Sequence, residues 1–270
     1  MLEMNIVALT VAALVSQAGT APRKAETAKP EPPAAAQPAG ESLPVVEVKS
    51  DNTKITASCV VRIAPGTVIA DPDNNGVIHI DADDVTVIFE EGSELRGAAP
   101  ETAWDTLTGV GVRIDGRKGV KLDGARVHGF KVGVYASNAP GLGLSKIDAS
   151  DNFRQKLKST PLAEDASDWL YPHHNDDHQW MKNYGAAVYV ERSEKVEVRG
   201  VRVRRGQNGI VLDRVNNSKV YDNDCSFLSG WGIAMWRSSS ETIFPHPLGF
   251  CGRGVVAGVD NRGGVVAAGI

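Results

Sequence analysis

The side chains best suited to chemistry are concentrated in one short stretch of this 270-residue chain. Residues 169–180 read WLYPHHNDDHQW, with three of the six histidines, two aspartates and three aromatic rings. A histidine can act as a general acid or base near neutral pH. Histidine and aspartate together can bind a divalent cation, and aromatic rings can stack on sugar rings.

We predict His178 to be the catalytic residue of this stretch. The predicted substrate-binding residues are Trp169, Tyr171 and Trp180. A divalent cation at Asp176 and Asp177 is the weakest of these hypotheses, because the stretch shows no known ligand spacing, and no other cofactor is indicated. A structural interpretation stays open, in which this is a polar loop whose rings anchor it to the rest of the protein.

The elements that must position this stretch are repeats. Similar blocks begin at Gly111, Gly133, Ala187, Gly209 and Gly232, in steps of 22, 54, 22 and 23 residues. The long step equals one period plus about 32 residues, which we assign to an insertion at 154–185. A fixed period of this length is typical of repeat architectures, and we expect the insertion to overhang the first strand of each repeat.

Each repeat contains three short segments in which apolar and polar residues alternate, the pattern of half-buried β-strands. Corresponding segments keep one register from repeat to repeat, so we expect each strand to pair with its equivalent one repeat later. Parallel strands lie about 4.8 Å apart. Val134, Val188 and Ile210 should therefore line up in one apolar column.

The outward positions of the first strand place aromatic rings beside carboxylates. Tyr135 and Tyr189 should be stacked neighbours, and Glu191 and Asp213 should share a column with Asp115. Rings can cover a sugar while carboxylates bind hydroxyl groups or transfer protons. We therefore predict Glu191 and Asp213 to be catalytic with His178, and both tyrosines to bind substrate. An ordinary solvated sheet is the alternative.

The third strand carries a second charged strip. Its outward residues are Arg126 and His128, Lys146 and Asp148, Arg202 and Arg204, and Asp222 and Asp224. Guanidinium groups match planar carboxylates, so Arg202 and Arg204 are predicted to bind an acidic saccharide. Ion pairs between these arginines and the two aspartates of the next repeat are the alternative.

Over roughly residues 76–254, the chain resembles a right-handed parallel β-helix of the pectate-lyase-like superfamily. Two repeats carry the resemblance, NGIVLDRVNNSKVYDND from Asn208 and YGAAVYVERSEKVEVRG from Tyr184. It implies an all-β solenoid with three short strands per coil of about 22 residues. Handedness comes from the resemblance and from the usual crossover preference. Lyases of this kind use a Lys or Arg base with a cation or an Arg that neutralises the substrate, but no motif here assigns those roles.

Four segments organise the chain. Residues 1–21 resemble an export signal, with an apolar run from Ile6 to Val15 that is short for a membrane span. Residues 22–44 hold six prolines and six alanines and are expected to be a disordered linker. The β-helix with its cap is predicted at 45–254. Residues 255–270 are an incomplete final repeat or tail, and the chain could be a truncated relative.

Composition narrows the partners. A net charge of -4 with 23% charged residues gives no indication of nucleic-acid binding. No further membrane span is predicted after signal removal, and we expect a monomer. Cys59, Cys225 and Cys251 allow either one disulfide or three buried thiols. The segment from Asp71 to Gly76 resembles the start of an EF-hand loop but lacks its final glutamate, so a turn is predicted.

The sequence thus predicts a secreted, periplasmic or cell-envelope protein that is active on a polysaccharide or surface glycan, as a lyase or a hydrolase. A non-catalytic glycan-binding module with the same architecture is the alternative.

Overall fold

The computed structural model describes residues 42–160, 162–163, 165–168, 175–238 and 242–243. The described chain is almost entirely strand and turn. Its helical elements are α1 (Gln179–Tyr184) and two 3₁₀ turns, Trp104–Thr106 and Ala166–Asp168. No helix within this part is long and apolar enough to cross a membrane.

Short strands collect into two large parallel sheets. Sheet A has eight strands, paired in this order: β1 (Val45–Glu47), β3 (Cys59–Arg62), β5 (Thr86–Phe89), β8 (Lys121–Asp123), β11 (Gly143–Ser145), β13 (Glu197–Arg199), β16 (Lys219–Tyr221) and β19 (Thr242–Ile243). Sheet B has seven: β2 (Thr53–Ile55), β4 (Ile78–Ile80), β7 (Val110–Asp115), β10 (Val132–Ser137), β12 (Ala186–Glu194), β15 (Ile210–Asn216) and β18 (Ile233–Trp236).

A third ladder is built from four very short strands. β6 (Leu95–Arg96) pairs with β9 (Val127–His128), and β14 (Arg202–Val203) pairs with β17 (Asp224–Cys225). Single bridges from Arg126 to Asp148 and from Asp148 to Arg202 connect the two pairs. Each repeat therefore contributes to sheet B, then to sheet A, then to this ladder.

The predicted register is confirmed in sheet B. Val134 pairs with Val188, and Val188 with Ile210. Val112 and Ile233 extend the same column by one strand at each end. All five side chains are fully buried, and burying one aliphatic side chain of this size stabilises a fold by about 1.5–3 kcal/mol.

The inward residues predicted for the other two strands are also mostly buried. Leu122, Leu144, Val198 and Val220 form the column of sheet A. Phe227 is an exception, since it is 52% exposed. Its φ of 57° is left-handed, and it lies at a turn just beyond the short strand β17. Lys146 and Asp222, predicted to be on the charged strip, likewise occupy left-handed turn positions.

Buried asparagines complete the backbone hydrogen bonds at the turns. Asn152 accepts a hydrogen bond from Phe130 N and donates to the carbonyls of Val127 and Ala149, all at 2.9 Å. Asn223 accepts from Val201 N at 2.9 Å in the same way. Because a buried backbone group without a partner is costly, these amides allow short strands to end inside the protein.

Both of the cysteines that are described, Cys59 and Cys225, are buried. Cys59 is free, and the two residues lie in different sheets. Burial raises the pKa of the Cys59 thiol. Cys251 lies outside the described residues, as do the predicted signal, most of the predicted linker and the predicted tail.

Candidate functional site

The outer face of sheet B brings the predicted acidic residues into one column. From strand to strand this column consists of Asp115, Ser137, Glu191, Asp213 and Trp236. Glu191 and Asp213 are direct neighbours across β12 and β15. Parallel strands lie about 4.8 Å apart, so two carboxylates meet on adjacent strands, as the repeat spacing predicts.

The next column carries the tyrosines. Tyr135 and Tyr189 are paired in register, and their ring centroids lie 6.0 Å apart with an angle of 30° between the ring planes. The guanidinium carbon of Arg113 lies 5.0 Å from the centre of the Tyr135 ring, a cation–π contact. Stacking of the two tyrosines is thereby confirmed.

This face is nevertheless not solvated, because part of the insertion covers it. Trp180 of helix α1 is 5% exposed and packs among Tyr135, Tyr189, Val211 and other side chains of the outer face. Gly185 ends the helix with a φ of 60°, and a Cβ there would lie 2.3 Å from the Lys131 carbonyl oxygen. The covering segment, residues 175–184, is therefore held close to the sheet at its C-terminal end.

Burial changes what the predicted rings can do. Tyr135, Tyr189 and Trp180 are 4%, 0% and 5% exposed, so none presents a face to a sugar ring in this conformation. They form a second apolar cluster outside the sheet instead, as in the structural interpretation of the loop. Trp169 and Tyr171 lie outside the described residues.

Glu191 is buried but well supplied with donors. Its Oε1 accepts hydrogen bonds from Tyr135 Oη at 2.7 Å and from Ser137 Oγ at 3.1 Å. Arg192 Nη1 lies 3.4 Å from the same oxygen. Burial is the main cause and the hydrogen bond to Glu191 the second cause of a pKa of Tyr135 that is raised far above its usual range. The tyrosine therefore remains a neutral donor to the glutamate.

Asp213 is fully buried and is held by the covering segment. Its Oδ2 accepts from Asn175 Nδ2 at 2.7 Å and from Arg214 Nη1 at 3.1 Å, whereas its Oδ1 is buried without a partner in the described structure. Desolvation raises the pKa of Asp213 despite the opposing effect of Arg214 and Asn175. The same Asn175 amide donates to Tyr189 Oη at 2.8 Å, so this residue ties the segment to two strands.

His178 is the predicted catalytic residue that reaches solvent. Its side chain is 31% exposed, and its Nδ1 is buried 3.3 Å from Glu191 Oε2, within ion-pair distance but without the geometry of a hydrogen bond. The residue has a φ of 56° immediately before helix α1. Because Nδ1 faces the carboxylate, Nε2 is the nitrogen left to meet a ligand. A carboxylate behind a histidine can hold the ring in one orientation.

A set of arginines borders the site, and the sequence analysis missed it. Arg192, Arg214 and Arg237 each follow a residue of the acidic column, with φ values of 47°, 55° and 49°. Gly116 and Asn138 occupy the equivalent left-handed positions of earlier repeats. Aligning the repeats one residue past the acidic column would have revealed three arginines where glycine or asparagine is expected.

Of the two aspartates predicted to bind a cation, Asp176 contacts two arginines. Asp176 is ion-paired with Arg214, and Arg237 Nη1 lies 3.0 Å from its Oδ1. The hydrogen bond from Arg214, together with the charge of Arg237, lowers the pKa of Asp176. Asp177 is exposed, and no group of potential metal ligands in this part of the chain includes either residue.

One acidic group does meet the geometric requirement for a cation, at the turn that resembled an EF-hand. Ligand atoms of Asp51, Asp71 and Asp73 lie within 4.8 Å of one another. Asp71, however, already accepts hydrogen bonds from three backbone amides, Asn75 at 3.1 Å, Gly76 at 3.0 Å and Val110 at 2.7 Å. These bonds fit the predicted turn, in which Asp71 stabilises the backbone.

Arg202 and Arg204 lie on the third ladder and not on the face of sheet B. Arg204 is ion-paired with Asp224 of the next repeat, so the alternative predicted for this strip is realised at that position. Arg202 is exposed and forms no ion pair with the described residues. The predicted substrate-binding residues are thus divided between two surfaces.

Comparisons of the chain with known proteins identified no relative. No family model, curated protein sequence or solved structure matches the chain.

Proposed function

We propose that the parallel sheets are the walls of a right-handed β-helix like those of the pectate-lyase-like superfamily. The support is the order of the strands: each repeat passes through sheet B, sheet A and the third ladder, and each strand pairs with its equivalent in the next repeat. The right-handed path follows from the general preference of parallel crossover connections.

We further propose that the protein is an exported carbohydrate-active enzyme with its centre at His178. The observation that carries this proposal is the contact between a partly exposed histidine and a buried carboxylate, 3.3 Å apart. In this arrangement His178 Nε2 exchanges a proton with the substrate, while Glu191 positions the ring. Glu191 is therefore a positioning residue.

The surroundings favour a lyase over a hydrolase. A glycoside hydrolase needs two carboxyl groups that flank the scissile bond, but Glu191 and Asp213 are 1% and 0% exposed. A lyase needs a base for the proton next to a carboxylate and a positive charge that stabilises the resulting anion. His178 supplies the base, and Arg192, 40% exposed, is the adjacent cation.

Polysaccharide cleavage assays test the enzyme hypothesis. The full chain is incubated with acidic and neutral polysaccharides, and unsaturated ends and reducing ends are measured separately. H178A should lose about 10²–10⁴-fold in rate, and the circular dichroism spectrum should not change. K182A on the same helix is the matched control. Full activity in H178A would exclude the histidine mechanism, and reducing ends without unsaturation would exclude a lyase.

A non-catalytic glycan-binding module is the second candidate. The burial of both acidic residues favours it, because neither carboxylate can touch a ligand unless the segment at 175–184 moves. Binding of a polysaccharide by the wild type without new ends would support this candidate over the enzyme.

Export is part of the proposal and has its own test. We expect residues 1–21 to be removed during secretion, which would leave a monomer in the periplasm, at the cell envelope or outside the cell. Mass spectrometry of the protein recovered from each cell fraction would give the cleavage position, and an intact N-terminus in the cytoplasmic fraction would contradict export.

A further inference from the structure

The third ladder bears a groove that is separate from the His178 site. It encloses about 210 Å³, less than the ~300–1,000 Å³ typical of pockets for drug-sized ligands. Five arginines supply its positive charge, and His128 also lines it: the arginines are Arg96, Arg126, Arg202, Arg204 and Arg205. Three carboxylates also line it, so the arginines outnumber the acids.

Most of these arginines already have carboxylate partners. Arg96 is paired with Glu94, and Arg204 with Asp224. Arg205 holds Asp151 with two bonds, of 2.6 and 2.7 Å. The Arg205 bond lowers the pKa of Asp151, which keeps this pair charged. Arg202 has no such partner in the described structure, so its guanidinium group is available to an anion.

His128 points to a ligand independently of the charge. The residue is only 4% exposed, and its Nε2 is buried without a hydrogen-bond partner in the described structure. Its Nδ1 lies 2.7 Å from the Ser150 carbonyl oxygen. A carbonyl can only accept, so Nδ1 carries a proton, and in the neutral ring Nε2 is an acceptor. A hydroxyl group would satisfy it.

Arg204 adds a second unsatisfied atom. Its Nη1 is buried and has no partner in the described residues, although the other end of the guanidinium group reaches Asp224. Arg204 and His128 lie in the same row of the ladder, since Arg204 N donates to Ser150 Oγ at 3.1 Å and Ser150 accepts from His128. Buried polar atoms are rarely left unpaired.

We propose that this groove binds a hydroxy acid, a ligand that carries a carboxylate and a hydroxyl group within a few bonds. The carboxylate meets Arg202 and Arg204, and the hydroxyl donates to His128 Nε2. A sugar acid and a small free hydroxycarboxylate share this chemistry. The inference uses no residue of the His178 site, so it stands or falls separately from the proposed function.

Two pairs of ligands test the two contacts on the full chain, by ligand-observed nuclear magnetic resonance. Glucuronate and glucose differ in the carboxylate, and glycolate and acetate differ in the hydroxyl. We expect glucuronate to bind and glucose not to bind, and glycolate to bind several-fold more tightly than acetate. Tighter binding of glucuronate than of glycolate would identify the sugar acid as the source, and the reverse order the free hydroxycarboxylate.

Substitutions locate the binding. R202Q should weaken the binding of the acid about tenfold or more, as expected for a charged hydrogen bond. R62Q makes the same change of charge in sheet A, where Arg62 is paired with Glu90, and should have little effect. H128N keeps a donor for Ser150 and removes Nε2, so it should abolish the preference for glycolate over acetate.

The proposal would be overturned by three results. The first is the absence of glucuronate and glycolate binding to the wild type. The second is equal weakening by R202Q and R62Q, which would mean a general effect of charge. The third is equal binding of glycolate and acetate by the wild type. If H128N does not fold, R202Q against R62Q still decides, because Arg202 is exposed.

Discussion

The bond between Tyr135 and Glu191 gives the sharpest test of the buried site. Substituting Y135F removes one oxygen atom and keeps the ring that stacks on Tyr189 with a centroid distance of 6.0 Å. The lost hydrogen bond is 2.7 Å long and ends on a carboxylate that is 1% exposed. Water cannot replace the missing donor unless the covering segment opens.

The expected cost follows from the charge of the acceptor. A hydrogen bond to a charged group contributes about 1.5–3 kcal/mol. Two donors remain on Glu191 Oε1, but both are more distant, Ser137 Oγ at 3.1 Å and Arg192 Nη1 at 3.4 Å. We therefore expect Y135F to lower the free energy of unfolding by about 2 kcal/mol.

Urea unfolding followed by circular dichroism measures this loss. With a slope of about 2 kcal/mol per molar urea, the midpoint should fall by about 1 M. The chain offers a matched control, since Tyr221 Oη donates to Glu197 Oε1 at 2.5 Å near the surface. Water can solvate both groups of that pair, so Y221F should shift the midpoint much less.

Equal shifts in Y135F and Y221F would refute this reasoning. They would mean that Glu191 is solvated or uncharged in the folded protein, and that the segment at 175–184 does not seal the face. A double-mutant cycle with E191Q then separates the pair from its surroundings. A coupling energy near zero would remove Tyr135 from the description of the site.

Three further predictions concern the framework and the acid beside Glu191. I210A should cost about 2–5 kcal/mol in urea unfolding because it opens a cavity in the fully buried column, whereas V45A at a 45% exposed position should change stability by no more than about 0.5 kcal/mol. N152A should cost at least about 2 kcal/mol, since the Asn152 amide serves three backbone groups, and N183A on the exposed side of α1 serves as its control; equal effects would contradict the role of Asn152. The pKa of Asp213 is raised in the folded protein. Between the ordinary carboxyl pKa and the raised value, the folded protein therefore binds more protons than the unfolded chain. The contribution of Asp213 to stability is present at acidic pH and declines as the pH rises through that window. D213N should remove this dependence, and an unchanged difference between wild type and D213N from acidic to neutral pH in urea unfolding would contradict it.

The periodic part of the fold could be predicted because register follows from alternation. A shift of one residue would turn Val134, Val188 and Ile210 towards the outside, so the apolar pattern alone aligns them. The same argument placed Glu191 beside Asp213 and Tyr135 beside Tyr189. The columns of sheet B then continue through β7 and β18 without further assumptions.

The burial of the outer face could not be predicted in the same way. Outward residues normally meet solvent, and the insertion has no periodicity that shows which of its side chains pack on the sheet. Trp180 was interpreted as a binding residue because tryptophan suits both a sugar and an apolar interface. His128 was also placed on an exposed strip, because alternation assigns a direction but gives no information on neighbouring side chains.

The acidic column explains why arginines stand at strained backbone positions. Two carboxylates on adjacent strands repel each other, and burial makes each charge more costly. A left-handed residue directly after each acid turns its own side chain back towards that acid, and Arg192 and Arg214 make these contacts with Glu191 and Asp213. A non-glycine residue in this conformation costs on the order of 1 kcal/mol, which the compensation of a buried charge outweighs. The two pairs differ in their contacts with the covering segment. Asp213 accepts a hydrogen bond from Asn175, whereas Glu191 contacts the partly exposed His178. Of these two acids, Glu191 is therefore the one whose contacts among the described residues include a partly exposed side chain.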